Sequence, residues 1–432
     1  MELKDVRGSA IRLLRDPSIF KVALSVVFNL ATRLPAMLPI VILLPLFSRE
    51  LGPRGYGELI AGLALGASLS LPFTGVNTTT RRSVSAAFAV HDKDGESTAF
   101  QTSIAASALC FMAVVAVSVV LQWPLYGRGN SILLIVILLP PITAALAVVG
   151  DVLTAYNETY IPATALIVFQ VIISIYAFFF QSKSLTIWEA AAVLQAPYIL
   201  SSAVALLFLT WQRPYLYVNR ARNVFGFLRG ALLISSADGG VASLINASIY
   251  WLSIAGGAAI AGWYGTMIRL LQALFNPIIF LVIPLSSFLA IKWPSLTPVR
   301  RDVVMTWVKV GALVYGGIIA VAVTVGGRLY MIKVMHFHEN VRILEYLALA
   351  SIVFGMTSQR CYSIFNYAVL QSRALSAGTI GVTLFALATY MTIGRILGPL
   401  EGIDLMYFAL GVPLIGLIFV HDWHRRRAGQ RM

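Results

Sequence analysis

"LFSRELGPRGYGELIAGLAL", residues 46–65, sets Arg49, Glu50, Arg54 and four glycines between two apolar runs. A helix that crosses about 30 Å of hydrocarbon needs roughly 20 apolar residues, and the runs on either side of this insert are that long. The insert therefore reads as a hydrated turn between two membrane-spanning helices, with the glycines of "LGPRGYG" letting the chain reverse tightly. Working outward with the same rule predicts twelve spans, at 22–47, 57–80, 99–122, 131–155, 160–181, 187–211, 231–254, 260–290, 303–326, 344–370, 375–397 and 402–421. Strands of a membrane barrel would be half as long, so the fold class is all-α and polytopic. Composition agrees: 59% hydrophobic and 12% charged residues, against roughly 45–50% and 25% in soluble domains. Pro35, Pro39 and Pro45 predict a kink in the first span, as do Pro277 and Pro284 in the eighth.

Charge sets the expected orientation, because Lys and Arg collect on the cytoplasmic side. With the N-terminus inside, inner segments hold 20 basic residues and outer ones 8, so both termini are expected in the cytoplasm. The net charge of +14 is then a topology signal, and no nucleic-acid partner is needed to explain it. Residues 1–21 lack the apolar core of a cleavable signal and form a basic cytoplasmic segment, read either as an interfacial helix or as a frayed tail. The remaining units are a six-helix bundle at 22–211, a basic cytoplasmic linker at 212–230, a second bundle at 231–421 and a basic tail at 422–432. Cys110 and Cys361 lie inside spans and read as small core residues. Gly62 and Gly66 make a small-residue step suited to close helix packing.

The two-bundle organisation rests on internal echoes. "GPRGYGELIAGLALG" at 52–66 is echoed by "AAIAGWYGTMIRLLQ" at 258–272, with Gly55 against Gly262. "YNETYIPATALI" at 156–167 is echoed by "LQSRALSAGTIG" at 370–381. The extended stretches "SRELGPRGYGELIAGLALGASLSLPFTGVNTTTRRSVSA" and "GGAAIAGWYGTMIRLLQALFNPIIFLVIPLSSFLA" resemble the polysaccharide-transport family of the multidrug, oligosaccharidyl-lipid and polysaccharide exporter superfamily. That resemblance implies two pseudo-symmetric six-helix bundles around a V-shaped central cavity. It also implies flipping of a prenyl-pyrophosphate-linked oligosaccharide, in O-antigen, capsule or exopolysaccharide export, across a bacterial inner membrane. Membrane lipids and polysaccharide polymerase machinery are the expected partners, and the chain is expected to act as a monomer. Sister branches flip the peptidoglycan precursor or exchange drugs for cations.

Four basic residues, Arg33, Arg269, Lys309 and Arg360, fall inside predicted spans. An arginine deep in the bilayer costs roughly 2.5–3.5 kcal/mol on insertion scales, so it must face a wet cavity or a partner. Arg33 shares its helix face with Ser25, Asn29 and Thr32. In span eight, Gly265, Arg269, Gln272 and Asn276 form one polar stripe. Span seven carries Ser235, Asp238, Ala242, Asn246 and Tyr250, and span two Ser68, Pro72, Gly75, Thr79 and Arg82, at similar spacing. These faces are expected to line the cleft between the bundles. A pyrophosphate brings about two negative charges that burial makes costly, and the planar guanidinium donates paired hydrogen bonds to phosphate oxygens. Arg33 and Arg269 are therefore candidate head-group ligands; pairing with Asp238 as a lock between bundles is the competing role, and the two can alternate. Arg360 either joins the cavity or snorkels, and Lys309 is expected to snorkel to the membrane edge. Asp151 and Glu158, near the inner end of span four, either titrate with a coupling sodium ion or proton or are ordinary interfacial carboxylates.

Other features read simply. Trp123, Trp188, Trp211, Trp293, Trp307 and Trp423 sit near span ends, as interfacial anchors do. His336 and His338 form an isolated pair, so no metal site and no cofactor are expected. Signatures of nucleotide hydrolysis are missing from the sequence, so the chain is not expected to be an enzyme. A multidrug antiporter would place deep carboxylates in one bundle, whereas the deep charges here are mostly arginine, which favours an anionic substrate.

Overall fold

The computed structural model describes residues 39–126, 131–156, 158, 160–179, 185–218, 221–255, 257–272, 274, 293, 296–336, 342–369 and 373–429. Among the described residues every regular element is helical. The described residues open on α1, a π-helical turn at Pro39–Leu43 followed by α-helix through residue 51. Pro39 and Pro45, which cannot donate backbone bonds, account for that irregular start. Next come α2 (53–69, continuing as Leu71–Ala89), α3 (Lys93–Tyr126), α4 (Ser131–Ala155), α5 (Tyr160–Phe179) and α6 (Ile187–Gln212). After a 3-10 turn at Pro214–Tyr217 follow α7 (Val224–Ala255), α8 (described over 258–272), α9 (Pro298–Lys333), α10 (Ile343–Val369), α11 (373–397) and α12 (Pro399–Gly429).

Each helix falls on an expected span. Seven of those described are long and apolar enough to cross a bilayer alone, and two bent stretches, residues 41–88 (α1 with α2) and α7, bring the number to as many as nine. Of the rest, α8 is described in part, and the polar run Thr357, Ser358, Gln359 and Arg360 lowers the hydropathy of α10. The chain is a multi-pass membrane protein. The exposed Trp211 and Trp307 sit where bilayer-anchoring side chains belong.

The opening stretch breaks where glycine permits. Gly52 has φ +67° and ψ 172°, outside the helical region, and Pro53 starts α2. Gly398, at φ 113° and ψ 167°, does the same before Pro399 opens α12. "LGP" at 51–53 and at 397–399 is thus one turn device used twice. We call the end of the molecule carrying these breaks the turn end, and the other the basic end.

Two contacts bring distant parts of the sequence together. At the turn end the echoed stretches meet: a Cβ on Gly57 would lie 1.8 Å from the Ala258 carbonyl oxygen, so α2 and α8 cross at backbone distance. Along α2 and α7 the polar stripes face each other directly. The Ser68 hydroxyl donates to the Ser243 carbonyl (2.8 Å) and the Ser243 hydroxyl donates back to that of Ser68 (3.1 Å). Ser235 accepts from the Gly75 N–H (2.8 Å) and donates to the Pro72 carbonyl (3.1 Å). The stripe residues Ser68, Pro72, Gly75 and Ser235 were expected to line a cleft; here they zip α2 to α7. Small residues allow that approach, and each hydroxyl is satisfied by a main-chain carbonyl of the facing helix.

The apolar core follows these contacts. A large cluster joins α1, α2, α4, α6, α7 and α8 to α9–α12, and a smaller one joins α2, α3 and α7 through Phe73, Val76, Ala106, Val114 and Ala231. Gly66 meets α4, where a Cβ would lie 2.3 Å from the Ile137 carbonyl, as the small-residue step implies. Cys110 and Cys361 are buried free thiols.

Lys309 differs from its expected role. Its side chain is 15% exposed and its ammonium pairs at 2.5 Å with Asp422 of α12, so it does not snorkel. Asp422 also holds Arg425 at 3.0 Å and Arg426 at 3.3 Å, a carboxylate shared by three cations at the basic end. Spacing along one helix could not reveal this partner on another.

Candidate functional site

Arg269 lies eleven residues into α8, about 16 Å along the helix from residue 258. It is partly buried, and among the described residues no carboxylate lies within 4.0 Å of its guanidinium. The hydroxyls of Tyr56 and Tyr198 lie within its electrostatic reach. Tyr56, fully buried on α2, is 2.6 Å from the Thr266 hydroxyl. Thr266 spends its own proton on the Gly262 carbonyl (2.7 Å), so Tyr56 donates to Thr266. Tyr56 therefore keeps only oxygen lone pairs to offer the arginine. Side chains on a helix lean toward its N-terminus, which brings Arg269 toward α2 at the turn end. The result is a cation held among phenols with its charge uncancelled by any described acid. An uncompensated membrane arginine of this kind marks a wet or ligand-filled surface.

The other expected site residues are spread more widely. Gln272, one turn along α8, is exposed. Asn246 of α7 is partly buried and donates to the Ala242 carbonyl at 2.9 Å within its own helix. Asp238 lies where α7 bends, between Ser236 and Gly239; its side chain is outside the described residues. Arg33, Asn29 and Asn276, like Pro277 and His338, also lie outside them. Arg360 is partly buried on α10 beside Cys361.

Asp151 and Glu158 each have an arginine partner at the basic end. Asp151 faces Arg81 of α2 at 3.8 Å, and Glu158 holds Arg213 at 2.8 Å. Arg213 also stacks on the Tyr156 ring, 3.6 Å from its centroid. Tyr156 and Tyr215 both donate to one oxygen of the buried Glu96, at 2.6 Å each. Burial first, and the Glu96 carboxylate next, hold both phenols above the usual tyrosine range. This cluster clamps the segment after α6 onto α3 and α4.

Sequence reasoning passed over a buried acid in the second half of the chain. Asp404 of α12 is 1% exposed and accepts from the Tyr264 hydroxyl at 2.6 Å. Glu345 of α10 is also buried. Both sit within three residues of an expected span boundary, where a carboxylate reads as interfacial. Only the packing of α8 and α10 against α12 removes them from water.

With this geometry in hand, solved structures identify the architecture. An inward-facing multidrug-resistance MATE transporter of the MOP superfamily matches with TM-score 0.59 and 13% identity, over 94% of this chain and 99% of that one. The chain has the MATE transporter fold. An outward-facing conformation of a multidrug-resistance MATE transporter matches at TM-score 0.53 and 14% identity, covering 94% and 96%. A MOP-superfamily transporter from Pyrococcus furiosus, described as having a binding pocket of reversed polarity, matches at 0.53 and 13%, covering 96% and 95%. No protein-family model and no curated protein matches the chain. At these identities the MATE likeness concerns the fold, of about twelve membrane helices.

Proposed function

We propose that the chain is an alternating-access transporter that carries an anionic, prenyl-pyrophosphate-linked oligosaccharide from the cytoplasmic to the outer leaflet of a bacterial inner membrane, with both termini cytoplasmic. The observation that carries this reading is Arg269, a partly buried cation among Tyr56 and Tyr198 with no described carboxylate within ion-pair distance. A phosphate-bearing head group would supply the missing charge, and a guanidinium binds it through paired, charge-assisted hydrogen bonds. Arg33, from the other half of the sequence, would be its counterpart. The prenyl tail stays in lipid while the two halves rock about the α2–α7 seam. Gln272, Asn246 and Asn276 would meet sugar hydroxyls, and Arg360 would add positive charge on α10. Membrane lipids and the polymerase machinery of the same route are the proposed partners.

Export of cationic drugs in exchange for sodium or protons is the second reading, favoured by Asp404, a buried carboxylate in the second half. Arg269 opposes a cationic cargo near α8. Replacing Arg269 with Gln in cells that depend on the polysaccharide separates the two. Surface polymer falls while protein level holds if the cargo is the anionic glycolipid; unchanged polymer at normal protein level overturns the assignment.

A further inference from the structure

We propose that the start of α9 and the end of α12, at the basic end, form a binding site for one anionic phospholipid, its phosphate held by Arg300 and Arg426 and its acyl chains lying along the lipid-facing surface of the two helices. The sequence puts an excess of positive charge there. Residues 298–309 and 421–426 carry five cations, Arg300, Arg301, Lys309, Arg425 and Arg426, against two carboxylates, Asp302 and Asp422. Both carboxylates are already engaged. Asp422 is shared by Lys309, Arg425 and Arg426, and Asp302 holds Arg425 at 2.6 Å. Arg300 is exposed and, among the described residues, has no carboxylate within 4.0 Å. Arg426 is exposed too, divides its acid with two other cations, and commits one further N–H to the Thr306 hydroxyl at 3.1 Å. A guanidinium has five such donors, so it keeps others for a ligand.

The placement of these charges points to lipid. With its π-helical turn α9 runs 36 residues, Pro298–Lys333, or about 54 Å, against about 30 Å of hydrocarbon. Its first turns therefore reach the head-group layer. Val299, Val303, Trp307, Val310 and Val314 recur every three or four residues and are all exposed, which makes them one stripe on the face turned to the bilayer. Arg300, next to Val299, flanks the start of this stripe on one side. Thr306 flanks it on the other, where Arg426 reaches across from α12. On α12, Phe419 and Trp423 are exposed one turn apart, and the Lys309 ammonium lies 5.6 Å from the Phe419 ring centroid, so the apolar surfaces of the two helices adjoin. The stripe continues through Ile318, Val321 and Val325, deep into the hydrocarbon, where a lipid chain and not a soluble partner lies against it. A phosphate between the guanidinia gains charge-assisted hydrogen bonds while its chains follow the stripe, a match that neither a free anion nor a lipid without net charge makes in full. This site goes beyond the transport reading and does not depend on which molecule is carried.

The test is native mass spectrometry of the full-length protein in detergent, titrated with phosphatidylglycerol or with phosphatidylcholine of the same chains. The wild type is expected to retain one phosphatidylglycerol at concentrations where phosphatidylcholine is lost. Arg300→Gln and Arg426→Gln are each expected to weaken that retention about fivefold, the loss of one cation at the membrane surface. Arg229→Gln, which removes an exposed cation of α7 at the same end, is expected to leave it unchanged. If Arg426→Gln loosens α12, Arg300→Gln still reads the site, because it breaks no described ion pair. Equal retention of the two lipids, or an equal loss on Arg229→Gln, overturns the proposal. So does displacement of the lipid by inorganic phosphate at equal concentration. Displacement by a prenyl pyrophosphate would make the groove part of the cargo route, and overturns it as well. An Arg269→Gln variant that leaves surface polymer unchanged bears on the cargo and not on this retention, so the two readings fail separately.

Discussion

In the proposed site Arg269 concentrates the chemistry in one side chain, and its neighbours decide how it behaves. A bidentate charge-assisted contact contributes about 1.5–3 kcal/mol, so Arg269→Gln should weaken binding of a pyrophosphate lipid about 10- to 100-fold. Arg269→Lys should recover only part of it, because an ammonium lacks the planar fork. Binding of a labelled pyrophosphate lipid to detergent-solubilised protein checks both. The arginine was visible in the sequence because a charge in an apolar run stands out against its surroundings. Asp404 was not, because its burial depends on α8 and α10, which are remote from it in sequence. The role of Tyr56 was equally hidden, since a tyrosine near a span end reads as an interfacial anchor.

Helices carry the next level of prediction. Asp422 joins α9 to α12 through Lys309 and Arg425, and its side chain is 5% exposed. Asp422→Asn should therefore cost about 3–5 kcal/mol, since it leaves the buried Lys309 without its counter-charge and Arg425 with Asp302 alone. Thermal unfolding in detergent measures that loss, and the double variant Lys309→Met with Asp422→Leu should recover much of it. Gly75 packs so closely that a Cβ would lie 1.8 Å from the Ala231 carbonyl. Gly75→Val should push α2 from α7 and destabilise by at least about 1–3 kcal/mol, the usual range for overpacking. At this scale the helices were legible almost throughout, since hydrophobic length alone fixes where a span can lie. Their contacts were not. The stripe of Ser68, Pro72 and Gly75 has the same spacing whether it lines water or meets Ser235 and Ser243.

Across the whole molecule, the α2–α7 seam links the two halves of the sequence from Gly75 to Ser68, and the α2–α8 crossing at Gly57 extends that contact to the turn end. In the proposed alternating-access cycle, rocking of the halves alters this seam. Cysteines replacing Ser68 and Ser243, with Cys110 and Cys361 changed to Ser, should form a disulfide that stops transport until a reductant is added. Export that continues with the cross-link intact would place the motion elsewhere. The echo of 52–66 at 258–272 was readable because each stretch opens at or just after a glycine of positive φ, Gly52 and Gly257, and a helix break leaves a local signature while a crossing point does not. The central claim is that Arg269 serves an anionic head group, and reconstituted vesicles test it most directly. Translocation of a fluorescent prenyl-pyrophosphate-linked sugar should fall about 10- to 100-fold on Arg269→Gln, the loss expected for one bidentate phosphate contact. Equal rates for the two proteins, or export by the wild type of a cationic dye in place of the glycolipid, would contradict it.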